Sequence, residues 1–370
     1  MNVPPSKLST TQTGHRRRHF PSSVYPLHPS DSQWLARVSE TELTALDRLL
    51  VGGSSLVIVG SFLWVPCLLV WSYRRWKSVQ DKRRRIIYMA LFVAALGVYV
   101  VAAPHKNHRV GNWLQVKKWK LWRAWVRFLA TEVILDQPRN NDNNTKDLAQ
   151  QDAILAFCPH GIFPFAFGVG AIADWAQKIF GAFRPIVASA VLRVPIFGDL
   201  VGMINGLDAT KSKVDCALAQ GERVGVIPGG ISEMFSGYPR AGCHPDEEYA
   251  IVRKGFLRMA LRHQKSVIPI YCFGSTKLFR RLELPALEAL SNFLRMSLIV
   301  FYGVWGLPIP FRQRLTYIVG EPIVPPPPSA AEEAQVDVLH QEFCNELRRL
   351  FDRHKHAYGW GHKTLQLLSM

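Results

Sequence analysis

The sequence predicts an α/β fold with a mainly parallel sheet flanked by helices, preceded by a hydrophobic membrane hairpin. Three observations carry that expectation. Two stretches, Leu49 to Trp71 and Ile86 to Ala103, contain no charged residue, and a bilayer span needs about 20 apolar residues. Beyond them, short β-branched or aromatic runs alternate with helical ones, the pattern of a layered domain with parallel strands. Three of those strands end on unusual residues, where parallel α/β sheets bind their ligands.

Residues 1–45 are rich in Pro, Ser, Thr and His, carry Arg16-Arg17-Arg18 and show no apolar period, so a disordered tail is expected. An apolar core directly after a basic start is missing, so no cleavable secretory signal is expected. The hairpin occupies residues 46–104, its two segments at about 49–71 and 86–103. The second is short for a span unless the bilayer thins or the hairpin stays shallow. Trp71, Tyr73 and Trp76 stand where interfacial aromatics belong. Basic runs follow both segments, so the positive-inside rule assigns no orientation.

The net charge of +17 is concentrated, because Asp81 is the only acidic side chain from Arg74 to Arg127. On charge alone this surface suits nucleic acid or anionic lipid; two adjoining membrane segments favour lipid, and no nucleic-acid partner is expected. Within residues 105–135, Trp119, Trp122, Val126, Leu129 and Val133 repeat at helical spacing among Lys117, Lys118, Lys120, Arg123 and Arg127. An interfacial helix lying on anionic lipid is expected there, ahead of an ordinary core helix.

The polar run Asp136 to Lys146 marks a boundary, and residues 147–370 form the main domain. Strands are expected at Ala153–Cys158, Pro185–Ser189, Arg223–Pro228, Ser266–Phe273, Leu298–Tyr302 and Leu315–Val319. Helices are expected at Phe165–Phe180, Ser212–Gln220, Gly255–His263 and Ala331–Lys355. The six cysteines lie far apart without zinc-type spacing, so reduced thiols and no metal are expected.

The strand ends carry Cys158-Pro159-His160-Gly161, Pro228-Gly229-Gly230-Ile231-Ser232-Glu233 and Phe273-Gly274-Ser275-Thr276. A neutral imidazole at His160 can take a proton from a hydroxyl, with Glu233 or Asp174 as the carboxylate fixing its tautomer. Pro159 stiffens the turn, and Gly161 lets a substrate approach backbone amides that steady an oxyanion. Gly229 and Gly230 offer a second amide cradle, although such a run is also an ordinary turn. Cys158 is the alternative nucleophile; against it, a cysteine ending a buried strand is commonly apolar filler. Arg253 and Lys254, at a helix start, either hold phosphates of a nucleotide-like carrier or are solvated. Asp246-Glu247-Glu248 reads as surface, and the apolar run from Ile162 to Val169 suits the lining of an acyl tunnel.

Taken together, Pro159-His160-Gly161, Arg193-Val194-Pro195, Gly229-Gly230-Ile231-Ser232-Glu233, Arg253-Lys254-Gly255-Phe256, Val267 to Gly274, Val319-Gly320-Glu321-Pro322-Ile323 and Leu350 to Lys355 resemble the type-2 diacylglycerol acyltransferase family, which includes monoacylglycerol acyltransferases and wax synthases. The resemblance covers roughly Trp122 to Gly359. It implies an acyltransferase-like sheet domain at the endoplasmic reticulum membrane or lipid droplets, facing the cytosol. The implied reaction moves an acyl group from acyl-CoA, a substrate and not a cofactor, to the free hydroxyl of diacylglycerol, with His160 as base and Glu233 close by; a homo-oligomer is left open. Monoacylglycerol or a fatty alcohol is the alternative acceptor, and a catalytically weak droplet-coating hairpin protein the non-enzymatic one. Lysophosphatidate is disfavoured because Phe165 replaces the aspartate of its His-x-x-x-x-Asp pattern. Cys158 stands where the family commonly has histidine and Ser275 where it has glutamate, and a Tyr-Phe-Pro block near Phe128 is missing.

Overall fold

The computed structural model describes residues 28–38, 43–102, 113–136, 148–294 and 299–369. Most of the expected tail and linker, and the stretch directly after the hairpin, lie outside the described residues. In chain order the elements begin with β1 (Gln33–Arg37), α1 (Ala45–Ile58), α2 (Ser61–Ser78), α3 (Lys82–Ala102), α4 (Leu114–Lys117), α5 (Lys120–Phe128), β2 (Glu132–Leu135), β3 (Ala153–Cys158), α6 (Phe165–Ile172), α7 (Asp174–Phe180), β4 (Arg184–Val187), α8 (Phe197–Met203) and β5 (Leu207–Asp208). They continue with α9 (Lys211–Ala219), β6 (Val224–Val226), β7 (Glu247–Val252), α10 (Gly255–His263), β8 (Ser266–Phe273), β9 (Arg280–Arg281), α11 (Pro285–Leu294), β10 (Phe301–Tyr302), β11 (Thr316–Val319), α12 (Glu332–Tyr358) and β12 (Thr364–Ser369).

The main sheet has the order β1-β2-β11-β8-β3-β6-β4-β5. From β8 to β5 all neighbours are parallel, whereas β11 runs antiparallel to β8 and β1 antiparallel to β2. With β2 and β11 parallel, five of the seven neighbour pairs are parallel and two antiparallel, so the sheet is mixed and the expectation of a mainly parallel one holds in part. Strand and helix alternation predicts a series of crossovers, but after β8 the chain makes an excursion through β9, α11 and β10. It then enters β11 from the opposite end. The expected strand at Leu298–Tyr302 is reduced to β10, which pairs only with β9. The helix expected over Phe165–Phe180 breaks at Ala173, whose ψ of 132° is extended.

The central strands are buried on both faces, so their side chains split by period two between two cores. In β3, Ala153, Leu155 and Phe157 enter one core with α5, α6 and α7. Ile154, Ala156 and Cys158 enter the other, with α9, α10 and α12. In β8, Ile268, Ile270 and Cys272 divide from Val267, Tyr271 and Phe273 in the same way.

The first apolar segment is not one helix. It breaks between α1 and α2, which bend by 51°. Among the described residues no single helix is long and apolar enough to cross a membrane, and this bent pair alone qualifies by length and composition. The break follows from what each half touches. Trp125 donates from Nε1 to Ser54 Oγ at 3.0 Å, Ser55 Oγ donates to Pro308 O at 2.5 Å, and Asp47 pairs with Arg127 at 3.5 Å. These contacts lay α1 on the domain. By contrast Leu63, Trp64, Leu68, Leu69 and Trp71 of α2 are exposed, as are Ile86, Ile87, Leu91, Phe92, Val93 and Leu96 of α3. The turn between them is basic, carrying Arg74, Arg75 and Lys77 before it and Lys82 to Arg85 after it.

The interfacial helix expected over residues 105–135 is corrected as well. Trp122, Val126, Leu129 and Val133 are buried in the domain core, and only Trp119 of that stripe is exposed. The stripe is core packing because α5 supplies the floor on which α1 and α6 rest. Val133 has already left the helix for β2. The bases outside the core, Lys118, Lys120 and Arg123, do face solvent.

Candidate functional site

Strands β8, β3 and β6 are adjacent and parallel, so their carboxyl ends bring the three unusual segments side by side. The turn after β3 holds His160, buried at 9% exposure, and Gly161 at φ +69°. That φ favours glycine, and a Cβ there would meet Ser275 O at 2.5 Å. Ser275, buried after β8, donates from Oγ to Cys272 O at 2.9 Å and to Pro159 O at 3.2 Å. The serine thus straps the end of β8 to the turn that presents the histidine.

On the other side, the 3-10 turn Gly230–Phe235 after β6 carries Glu233, which is buried. Its two carboxylate oxygens accept separate backbone amides, Oε2 from His160 N–H and Oε1 from Ile251 N–H at 2.5 Å. Burial pushes the Glu233 carboxyl up to about 7, against the lowering by those two amides. Gly229 is required here because a Cβ would lie 2.4 Å from the Glu233 side chain.

Glu233 therefore holds the backbone of His160, and not the imidazole as the sequence suggested. The ring's Nδ1 lies 2.6 Å from the Gly161 carbonyl oxygen. A carbonyl only accepts, so Nδ1 carries the hydrogen and Nε2 carries the lone pair. Burial lowers the imidazole below its ordinary value, with the Gly161 contact acting in the opposite sense. The other carboxylate considered, Asp174, opens α7, and its side chain lies outside the described residues.

Cys158 ends β3 fully buried, and burial pushes its thiol well above the ordinary range. A nucleophilic cysteine needs the opposite, an accessible thiol of lowered pKa. Its neighbours, Tyr271 and Phe273 among them, belong to the apolar core. Arg253 is exposed and donates to Ser232 Oγ, one residue from Glu233. Lys254 is turned away by an ion pair of 2.6 Å with Asp337 of α12.

A polar cluster that sequence reasoning missed adjoins the His160 turn. Glu248, read as surface, is 1% exposed. It accepts from Lys363 Nζ at 2.6 Å, Lys277 Nζ at 2.7 Å and Thr276 Oγ1 at 2.6 Å. The cause lies in long-range pairing: β7, which contains Glu248, takes β12 as its parallel partner, and Lys363 directly precedes β12. Burial lowers the Lys277 ammonium, while Glu248 acts against that shift. A run of three acids offers no local signal that its last member turns inward.

The apolar side of the site is aromatic. Phe163, three residues after His160, meets Phe301 at 4.8 Å, Phe62 at 5.5 Å and Phe279 at 5.7 Å between ring centres. Phe165 stacks on Trp125 at 4.6 Å. Because Phe62 lies in the first turn of α2, a continuous aromatic contact leads from the base of the exposed hairpin to the His160 turn.

Comparison with known proteins supplies the class first: the relatives are acyltransferases. Diacylglycerol O-acyltransferase 2 of Homo sapiens is 25% identical over 282 residues, 69% of this chain and 68% of that protein. 2-Acylglycerol O-acyltransferase 1 of Mus musculus is 27% identical over 327 residues, 82% of this chain and 85% of the relative. Acyl-CoA wax alcohol acyltransferase 2 of Mus musculus is 28% identical over 265 residues, 66% and 75%. The model of the diacylglycerol acyltransferase family matches residues 83–368. The chain belongs to that family.

Proposed function

We propose that the protein is a membrane-bound, acyl-CoA-dependent O-acyltransferase that esterifies the free hydroxyl of diacylglycerol, with His160 as general base. The observation that carries this reading is the Nδ1 contact of His160 with the Gly161 carbonyl, which leaves Nε2 as the proton acceptor. The acceptor hydroxyl gives its proton to Nε2 as its oxygen attacks the thioester carbonyl. The resulting oxyanion is steadied by backbone amides. Gly230 N–H is committed to Ile227 O at 3.1 Å, so this role falls to Gly161 and Gly229. Collapse then expels the CoA thiolate, which takes the proton from the imidazolium, and the ester leaves as triacylglycerol. Glu233 acts through the backbone of His160 as a positioning residue.

Both substrates carry long apolar chains, and the aromatic contact from Phe62 to Phe163 supports their arrival from the hairpin side. The exposed apolar faces of α2 and α3 support insertion into a bilayer, with the endoplasmic reticulum membrane and lipid droplets as the locations the family resemblance implies. Arg253 is the better placed of the two expected cations for a CoA phosphate, since Lys254 is spent on Asp337. Monoacylglycerol and fatty alcohols stand as alternative acceptors, because the named relatives include a 2-acylglycerol and a wax alcohol enzyme.

Expression in a yeast lacking neutral-lipid synthesis, followed by membrane assays with labelled acyl-CoA and a panel of acceptors, tests the reading. Wild type is expected to form triacylglycerol most rapidly. His160→Ala is expected to lose about 10²–10⁴-fold of that rate, the usual contribution of a positioned base. Full turnover by His160→Ala would reject the base, and a different preferred acceptor would replace diacylglycerol.

A further inference from the structure

At the amino-terminal ends of β4 and β6, opposite the carboxyl ends that present His160, lies a cavity of about 190 Å³. Lys117, Arg184, Arg223, Glu222 and Asn205 line it. Three cations face one carboxylate, and two of the cations are left incompletely satisfied.

Lys117, at the end of α4, is 4% exposed. Among the described residues no hydrogen-bond or ion-pair partner reaches its ammonium. Burial accordingly lowers its pKa, with no neighbouring charge to oppose the shift. Arg223 donates from its terminal nitrogens to Ala149 O at 2.8 Å, Phe180 O at 2.6 Å and Leu148 O at 2.8 Å, yet its buried Nε has no partner. Arg184 pairs with Glu222 at 2.6 Å and donates from Nε to Asn205 O at 3.3 Å. The Lys117 ammonium, with no counter-charge among the described residues, and the buried, unpartnered Nε of Arg223 thus belong to one cavity lining, and a buried N–H without an acceptor is costly. An anion would satisfy both.

We infer that this cavity is a second, non-catalytic site that binds a phosphate group. Its volume is below the 300–1,000 Å³ of pockets that enclose whole ligands, so it suits a headgroup or free phosphate and excludes a complete acyl-CoA. The phosphate comes either from an anionic lipid or from solution. Exposed Lys118, Trp119 and Lys120 follow Lys117 directly, a basic and aromatic surface compatible with lipid headgroups.

The full chain, purified in detergent, is heated with inorganic phosphate against chloride at equal ionic strength, and in micelles with phosphatidic acid against phosphatidylcholine alone. Wild type is expected to gain about 3–4 °C in Tm when phosphate is present at about 100 times its Kd. Lys117→Met is expected to lose that gain while its unliganded Tm stays equal or rises, because the change removes a charge that no counter-charge among the described residues balances. Glu222→Gln keeps a hydrogen-bonding side chain, removes the repelling charge and is expected to tighten phosphate binding several-fold. A gain with inorganic phosphate assigns a soluble ligand, and a gain only with phosphatidic acid assigns a lipid headgroup; either supports the site. No gain in either series, or the same gain in Lys117→Met, overturns it.

Discussion

His160 works through its immediate neighbours: Gly161 takes the Nδ1 hydrogen, Glu233 takes the backbone amide, and Ser275 ties the preceding proline to β8. Gly161→Ala combines an unfavourable φ of +69° with a Cβ 2.5 Å from Ser275 O. It is expected to destabilise the chain by at least about 1 kcal/mol and to abolish acyl transfer, measured by thermal unfolding and membrane assay. The pH dependence has a definite sign. His160 is depressed in the folded state, so its contribution to stability is present above its unfolded value near 6.5 and is lost as pH falls through the folded value. As the proposed base, His160 stays neutral below 6.5, and the acid limb of kcat/KM is expected there in a pH-rate profile. Glu233, raised to about 7, has the reverse linkage: its stabilising preference for the neutral form is present below about 4.5 and is lost as pH rises through 7. The Pro-His-Gly segment was legible in the sequence because a proline, a histidine and a glycine at a strand end have few other uses. The partners of Glu233 were not, because a carboxylate's choice between ring and backbone is made by orientation.

At the scale of elements, the C-terminal segment does more than close the domain. β12 pairs with β7 along six residues, and α12 covers one face of the sheet. Together they deliver Lys363 to Glu248 and place His354 Nε2 at 2.5 Å from Asp136. Asp136 would be pushed up by burial, but the hydrogen bonds from His354 and Arg349 prevail and hold it below the ordinary carboxylate range. Glu248→Ala would leave the buried Lys363 and the half-exposed Lys277 facing each other without their shared carboxylate. A loss of about 3–5 kcal/mol is expected in denaturant unfolding, with Glu248→Gln losing less because it keeps the hydrogen bonds. β3, β8 and α10 were predicted to the residue, since long apolar runs and a strongly amphipathic helix announce themselves locally. β1, β2, β7 and β12 were missed because each is stabilised by a partner far away in the chain.

For the whole molecule, the two cores leave α2 and α3 as the apolar surface that the domain does not cover. Removal of residues 61–102 is expected to release the chain from membranes into the soluble fraction after carbonate washing, with loss of esterification of long-chain acceptors. Retention in the membrane pellet would place the anchor elsewhere. Phe62 lies within the deleted segment and also contacts Phe163 and Phe197, so Phe62→Ala in the intact chain provides the finer test. It is expected to leave membrane binding unchanged and raise KM for the acceptor.

The sequence by itself determined the apolar hairpin segments, the layered α/β class, the family and the identity of the strand ends that meet, because these reside in periodicity and in ordered short motifs. Only the tertiary structure decided that the sheet is mixed, that the first apolar segment bends to lay α1 on the domain, and that the tryptophan stripe faces the core. It also decided where each buried charge finds its counter-charge: Glu248 at Lys363, Asp136 at His354, and Lys117 at none among the described residues. Apolar pattern is a local property of the chain, whereas strand direction and charge pairing depend on segments far apart in the chain, Thr316 with Phe273 in β11 and β8 and Asp136 with His354 among them.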